Sequence, residues 1–264
     1  MQEKTRIENL TESNIEDLIY VCSSKRLKDS IHQQGISLKR QWLREMLKKY
    51  GSCAKVAYYD GKPVAQILHY PEEADPTIIS GRKDVLVLLC VYNPTSVAQK
   101  LGIGTKLLQS VIDDAKQKKT CGNRSCKFIQ TEAFNTGELL PLPEFYKRNG
   151  FLPTPQGNML YFSIESNYEP STPIGEYEPL PEDKNKALIL YSPVCQFSYQ
   201  FAKNVEKLIR EVVPAIPFEM INKWEKPEES IKRKNCWLIV NAKPIQTFFM
   251  ETEKFKEEIK QVVS

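Results

Sequence analysis

Val85-Leu-Val-Leu-Leu-Cys-Val91 and, one short segment later, Gln99-Lys-Leu-Gly-Ile-Gly104 decide how the first part of this chain is read. An unbroken apolar run suits a strand buried on both faces. Beyond the glycines, Leu107, Leu108, Val111, Ile112 and Ala115 recur at helical spacing, predicting an amphipathic helix to about Lys118. At a helix N-terminus the first backbone N–H groups have no internal acceptor, and the helix dipole adds positive charge there. Glycines let a large anion approach that backbone closely, so a pyrophosphate fits. Lys100 and Lys106 add charge. Taken alone, Gly-x-Gly reads equally well as a tight turn.

Elements on either side alternate. Thr5–Asn9 is predicted as a strand, and Thr11 is placed to cap a helix. Ser37 is expected to cap a second helix, Leu38–Tyr50, with Trp42, Leu43 and Met46 on one face. Cys53–Tyr59 and Pro63–His69 read as a hairpin across Asp60-Gly61. Lys127–Ala133 is a strand, Pro143–Asn149 a short helix, and strands follow near Phe151 and at Leu160–Ile164. Residues 166–185 carry Pro170, Pro173, Pro179 and Pro181 among acidic residues and read as an interdomain linker. Domains are therefore expected at 1–165 and 186–264. The second reads β-α-β, then β-β-α, with its hairpin strands at Trp237–Val240 and Ile245–Met250.

Composition narrows the function. Hydrophobic residues make up 41% and charged residues 27%, as in ordinary globular proteins. A net charge of +4 assists an anionic cofactor but does not call for nucleic acid. With no long apolar stretch, neither a membrane span nor a signal core is expected, and a cytoplasmic location follows by default. The seven cysteines are scattered and odd in number, which argues against a disulfide framework; two histidines and no Cys-x-x-Cys argue against a metal site.

The segment Leu89-Cys-Val91, then Gln99-Lys-Leu-Gly-Ile-Gly104, then Asn135 and Phe145-Tyr-Lys-Arg-Asn-Gly-Phe151 resembles the GNAT acetyltransferase superfamily over the first three-fifths of the chain. The resemblance implies an α/β fold with a mixed central sheet and acetyl-CoA as acyl donor. It places Val91, Gln99, Lys100, Leu101, Gly102, Ile103, Gly104, Thr105 and Asn135 around that cofactor. A backbone N–H near Val91 would polarise the acetyl carbonyl, and Tyr146 would protonate the departing thiolate. Tyr146 also reads as a packed aromatic beside Phe145 and Phe151. For the general base, Glu132 and His69 are candidates, with ordered water as an alternative; Glu132 reads equally as a carboxylate held by Lys or Arg, and a lone histidine such as His69 reads more often as structural. Two departures from the family pattern stand out: the insertion at Asn93-Pro94-Thr95, and the segment with Pro141 and Pro143 between Asn135 and Tyr146.

The C-terminal part resembles a thioredoxin-like β-α-β-β-α domain, with Cys195-Gln-Phe-Ser198 matching Cys-x-x-Ser of monothiol relatives and Asn235 or Cys236 where a cis-proline is usual. A helix start stabilises thiolate, which makes Cys195 a candidate catalytic thiol near Cys236. The pairing of domains is similar to the YoaP-like group of bacterial acetyltransferases. The leading expectation is transfer of acetyl from acetyl-CoA to an amine acceptor by direct attack, whether small amine, antibiotic, peptide N-terminus or protein lysine. The alternative is a thiol-active or non-catalytic binding protein that works through Cys195. The oligomeric state is left open.

Overall fold

The protein is described by a computed structural model for residues 4–120, 123–133 and 140–264. It divides into two compact units. One holds residues up to Lys25 with Leu43–Asp75 and Ser80–Ser171; the other holds Arg26–Trp42, Pro76–Ile79 and Thr172–Ser264. In the chain, the last changeover falls between Ser171 and Thr172, inside the proline-rich segment.

The first unit is built on a seven-stranded sheet. Its strands are β1 (Thr5–Asn9), β2 (Ala54–Tyr59), β3 (Lys62–Pro71), β4 (Val85–Tyr92), β5 (Phe128–Glu132), β6 (Leu152–Pro153) and β7 (Met159–Ser163), in the order β1-β2-β3-β4-β5-β7-β6. Every pairing is antiparallel except β4 with β5. A parallel pair needs a crossover, and helix α3 (Ile103–Lys116) lies in that connection. Its buried face, Ile103, Leu107, Leu108, Val111, Ile112 and Ala115, packs with Ile67, Leu86, Leu88 and Ile129 into one core. Helix α1 (Ile15–Ser23) buries Ile15, Leu18, Ile19 and Val21.

Helix α2 begins earlier than its sequence suggests, at Ser30 rather than Leu38, and runs to Tyr50. Asp29 supplies the cap: its carboxylate accepts the N–H groups of Ile31 at 3.0 Å and His32 at 3.1 Å. Gly35 obscures this start in the sequence, because glycine weakens a helix interior. Its use is close approach. A Cβ there would lie 2.0 Å from the Gln196 carbonyl oxygen, in the same unit.

The second unit carries β8 (Ala187–Tyr191), α5 (Ser198–Val212), β9 (Phe218–Asn222), α6 (Pro227–Lys232), β10 (Leu238–Val240), β11 (Lys243–Pro244) and α7 (Thr252–Val263). α4 is the short helix Leu142–Arg148 of the first unit. The smaller sheet runs β11-β10-β8-β9, with β8 and β9 parallel and the rest antiparallel. The hairpin is tighter than expected. Asn241 (φ 50°) and Ala242 (φ 58°) both take left-handed backbone, the signature of a two-residue turn, so pairing resumes at Lys243 and not at Ile245. Below the sheet, α5 and α7 pack Val205, Ile209, Phe255 and Ile259 against Ile189, Leu238 and Val240.

Candidate active site

The site begins where two strands part. Parallel pairing of β4 with β5 stops at Leu88 opposite Thr131, whereas β4 continues to Tyr92 paired with β3 alone. The β3–β4 register also slips there: Cys90 faces Leu68 and Leu88 faces His69, leaving Leu89 as the extra residue of a bulge. A bulge bends its strand and re-aims the residues beside it. Beyond Leu88 the β4–β5 ladder has ended, so the two parallel strands part along Leu89–Tyr92.

The glycine loop lies next to this opening. Asn93 Nδ2 donates to the Ala98 carbonyl at 2.9 Å, and Gln99 Nε2 donates to the Asn93 carbonyl at 3.3 Å. The Gln99 side chain is therefore a brace within the loop, and the inserted Asn93 is its partner. Lys100 (φ 61°) and Gly102 (φ 71°) take left-handed backbone, and Gly102 forms the N-cap of α3. Alternating turns of this kind point successive N–H groups to one side. Ile103 is buried in the core and so offers the site only its backbone, whereas Leu101 and Thr105 are exposed. A Cβ on Gly104 would sit 3.5 Å from the Phe145 ring and 4.0 Å from Val91, which brings the loop, β4 and α4 to one place.

Tyr146 joins them through Phe145, with ring centroids 5.3 Å apart, and packs on Phe151 at 5.1 Å. The tyrosine is buried. Burial holds its pKa well above the ordinary phenol range; a hydrogen bond with Thr131 opposes the rise and the Cys90 thiol adds to it. Its hydroxyl therefore stays protonated at neutral pH and lies among Thr131 and Cys90, at the point where β4 and β5 separate. Both sequence readings of Tyr146 thus describe the same residue: a core ring with a polar tip at the opening.

Glu132 ends β5, exposed, and makes no ion pair among the described residues. Asn135 lies outside the described residues. Cys195 belongs to the second unit, exposed ahead of α5. Cys90, Thr131 and Asn93 were not singled out by sequence reasoning. Only Asn93 left a signal, as part of an unusual insertion.

His69 does not titrate where a base is useful. It is buried inside β3, and burial, then the Lys55 charge, push its pKa down to about 3. The unfolded chain titrates near ~6.5. Below that value the unfolded state takes up a proton that the folded state refuses, so stability is full above it and falls as pH drops toward about 3. Between pH 7 and pH 5 the loss should be about 2 kcal/mol, from roughly 1.4 kcal/mol per pH unit. Urea unfolding at both pH values should show it, and His69→Gln should remove most of it. An equal pH slope in that variant would contradict the assignment.

Among the described residues, no group of His, Cys, Asp and Glu could hold a metal, and no helix is long and apolar enough to cross a membrane. A mixed sheet opened between its two parallel strands, with a glycine loop leading into a crossover helix, marks the first unit as an acyltransferase. Residues 16–151, just over half of the chain, match the model of the Acetyltransferase (GNAT) family, and the chain belongs to that family. Three solved structures are similar to it. Ard1 from Thermoplasma volcanium is 11% identical over 61% of this chain and 99% of its own, with a TM-score of 0.42. The PaiA N-acetyltransferase from Thermoplasma acidophilum, in complex with coenzyme A, is 17% identical over 61% and 99%, TM-score 0.42. A GNAT-family acetyltransferase from Brucella melitensis, in complex with acetyl-CoA, is 16% identical over 64% and 91%, TM-score 0.41. No curated protein matches the chain.

Proposed function

We propose that the first unit moves acetyl from acetyl-CoA to an amine, with the pyrophosphate on the 99–105 loop and the thioester at the opening between β4 and β5. The observation that carries this is the convergence of three features: the stretch of β4 beyond its pairing with β5, the N-terminus of α3, and the Tyr146 hydroxyl. The loop suits a bulky anion because nothing lies within 4 Å of where a Gly102 Cβ would point. Bound there, the thioester supplies an activated acetyl group. The N–H near Val91 would polarise its carbonyl as a fixed donor, which costs no reorganisation during reaction. Tyr146, protonated and oriented by Thr131, would give its proton to the departing sulfur. Glu132, at the end of β5, or a water is the candidate to take a proton from the amine. Release of CoA thiol should therefore depend on an added amine in a panel spanning polyamines, amino acids, aminoglycosides and short peptides, with the acetylated amine seen by mass spectrometry. Absence of amine-dependent release across all four classes would contradict the reading.

The second unit is proposed to be a thioredoxin-like module of the YoaP-like kind. Its support is the order β9-β8-β10-β11 with a parallel first pair, and an exposed Cys195 just before α5. Ser198 Oγ, at the fourth position of Cys-x-x-Ser, accepts the Ser192 N–H at 3.0 Å and braces that turn. Both Cys195 and Cys236 are free thiols, and burial pushes the Cys236 pKa up. Cys195 should react with iodoacetamide several-fold faster than Cys236 at neutral pH, since thiolate and access set the rate. Equal or reversed rates, read by peptide mapping, would remove Cys195 as the reactive position.

A further inference from the structure

Where the large sheet ends at β6, its edge carries a cleft of about 580 Å³, a volume within the ~300–1,000 Å³ typical of small-molecule sites. Its walls include Tyr161 on β7, Tyr168 in the segment that follows, and Pro153, Pro155 and Gln156 of the β6–β7 hairpin. Phe128 braces the two tyrosines: the Tyr168 ring centroid lies 5.5 Å from those of both Phe128 and Tyr161. The Tyr168 hydroxyl is used up in donating to Gln156 Oε1. By contrast, the Tyr161 hydroxyl and the side chain of Asn167, also in the lining, make no hydrogen bond among the described residues. No lining side chain carries a charge. The strand register ties this cleft to the opening. Glu132 pairs with Met159 and Gln130 with Tyr161, so Glu132 and Tyr161 share one face as diagonal neighbours, about 7–8 Å apart. The hairpin turn also lies against the end of β5, where Ala133 N–H donates to the Asn158 carbonyl at 3.0 Å.

We propose that this cleft seats the acceptor and that the acceptor is an amino sugar. This rests on the acetyl-CoA reading given above and narrows its amine. A pyranose has an apolar C–H face and a rim of hydroxyls. The tyrosine rings are flat apolar walls for the face, and the Tyr161 hydroxyl and Asn167 amide are free to bond the rim. The ring amine then reaches toward Glu132 and the opening. There it attacks the thioester carbonyl: a C–N bond forms, the bond from acetyl to CoA sulfur breaks, and the proton lost by nitrogen is balanced by the one that sulfur gains. Two other amines suit the cleft less well. A polyamine would bring a second ammonium into a lining without a carboxylate, and a desolvated charge needs a partner. A peptide laid along the edge would need main-chain partners. Thr154 turns its N–H inward to the Met159 carbonyl at 3.0 Å, so positions 153 and 155 face outward, and both are prolines with no N–H to give.

The probe is D-glucosamine on the full chain. Saturation-transfer NMR reads its binding, mass spectrometry its conversion to N-acetylglucosamine, and calorimetry the binding of acetyl-CoA to the same protein. Saturation should reach the ring C–H protons, and acetylation should exceed that of spermidine or a short peptide by at least about tenfold in kcat/KM. Asn167→Ala removes an exposed side chain that makes no internal hydrogen bond, so the fold should survive it. Glucosamine binding should weaken roughly fivefold, the loss of one neutral hydrogen bond, and KM should rise by more than kcat falls. Tyr161→Phe, which keeps the ring, should do the same. No N-acetylglucosamine from a protein that binds acetyl-CoA normally would overturn this inference and leave the parent reading to its other amines. Glucosamine binding untouched by both variants would put the sugar elsewhere and overturn it too. Failure to bind acetyl-CoA would instead bring down the parent reading, and the acceptor role of the cleft with it.

Discussion

Gly102→Val combined with Gly104→Leu should weaken acetyl-CoA binding by at least about a hundredfold. The first change puts a β-branched residue at φ 71°, where L side chains strain the backbone by roughly 1–2 kcal/mol. The loop relieves that strain by turning its N–H groups away. The second places bulk between the α3 N-terminus, Val91 and Phe145. Losing two hydrogen bonds to a charged group, at about 1.5–3 kcal/mol each, accounts for the magnitude. Gly104→Ala is the useful contrast. Its Cβ makes ordinary contact at 3.5 Å, so the protein's own packing tolerates it and any loss of affinity reports on the ligand side. Calorimetry with acetyl-CoA checks the pair, and a thermal melt checks that the second unit still folds. Unchanged affinity in the double variant would move the anion site elsewhere.

Tyr146→Phe should lower turnover by ~10²–10⁴, the range for loss of a general acid, while leaving acetyl-CoA affinity within about twofold. The ring would still pack on Phe145 and Phe151, so cavity formation is not the cause. Removing the hydroxyl from Thr131 should cost only about 1 kcal/mol of stability. The two roles of this residue therefore separate in one variant: a packing role appears in the melt, a proton-donor role in kcat. Equal turnover would return Tyr146 to the core alone.

Much of the first unit could be read from the chain because its signals are local. The apolar run at Val85 and the helical repeat from Leu107 to Ala115 report their own burial, and both fall where expected. The start of α2 was hidden because its logic is tertiary: Gly35 looks like a helix breaker until the Gln196 carbonyl is seen against it. The second hairpin was misplaced because Asn241-Ala242 is not an obvious two-residue turn, although both residues adopt left-handed backbone. At the site, the glycine loop and Tyr146 carried motif spacing. The bulge at Leu89 and the early end of the β4–β5 ladder did not, since each depends on register between distant strands. For His69 the sequence leaves a structural and a base reading open, and the full burial that holds its pKa down to about 3 favours the structural one.

The most direct test of the central claim is a crystal structure of the full chain grown with CoA. The account predicts pyrophosphate oxygens on the backbone N–H groups at Gly102, Ile103 and Gly104, and the thiol end between β4 and β5, beside Val91 and the Tyr146 hydroxyl. CoA bound at another surface, or a thiol end remote from that opening, would contradict it.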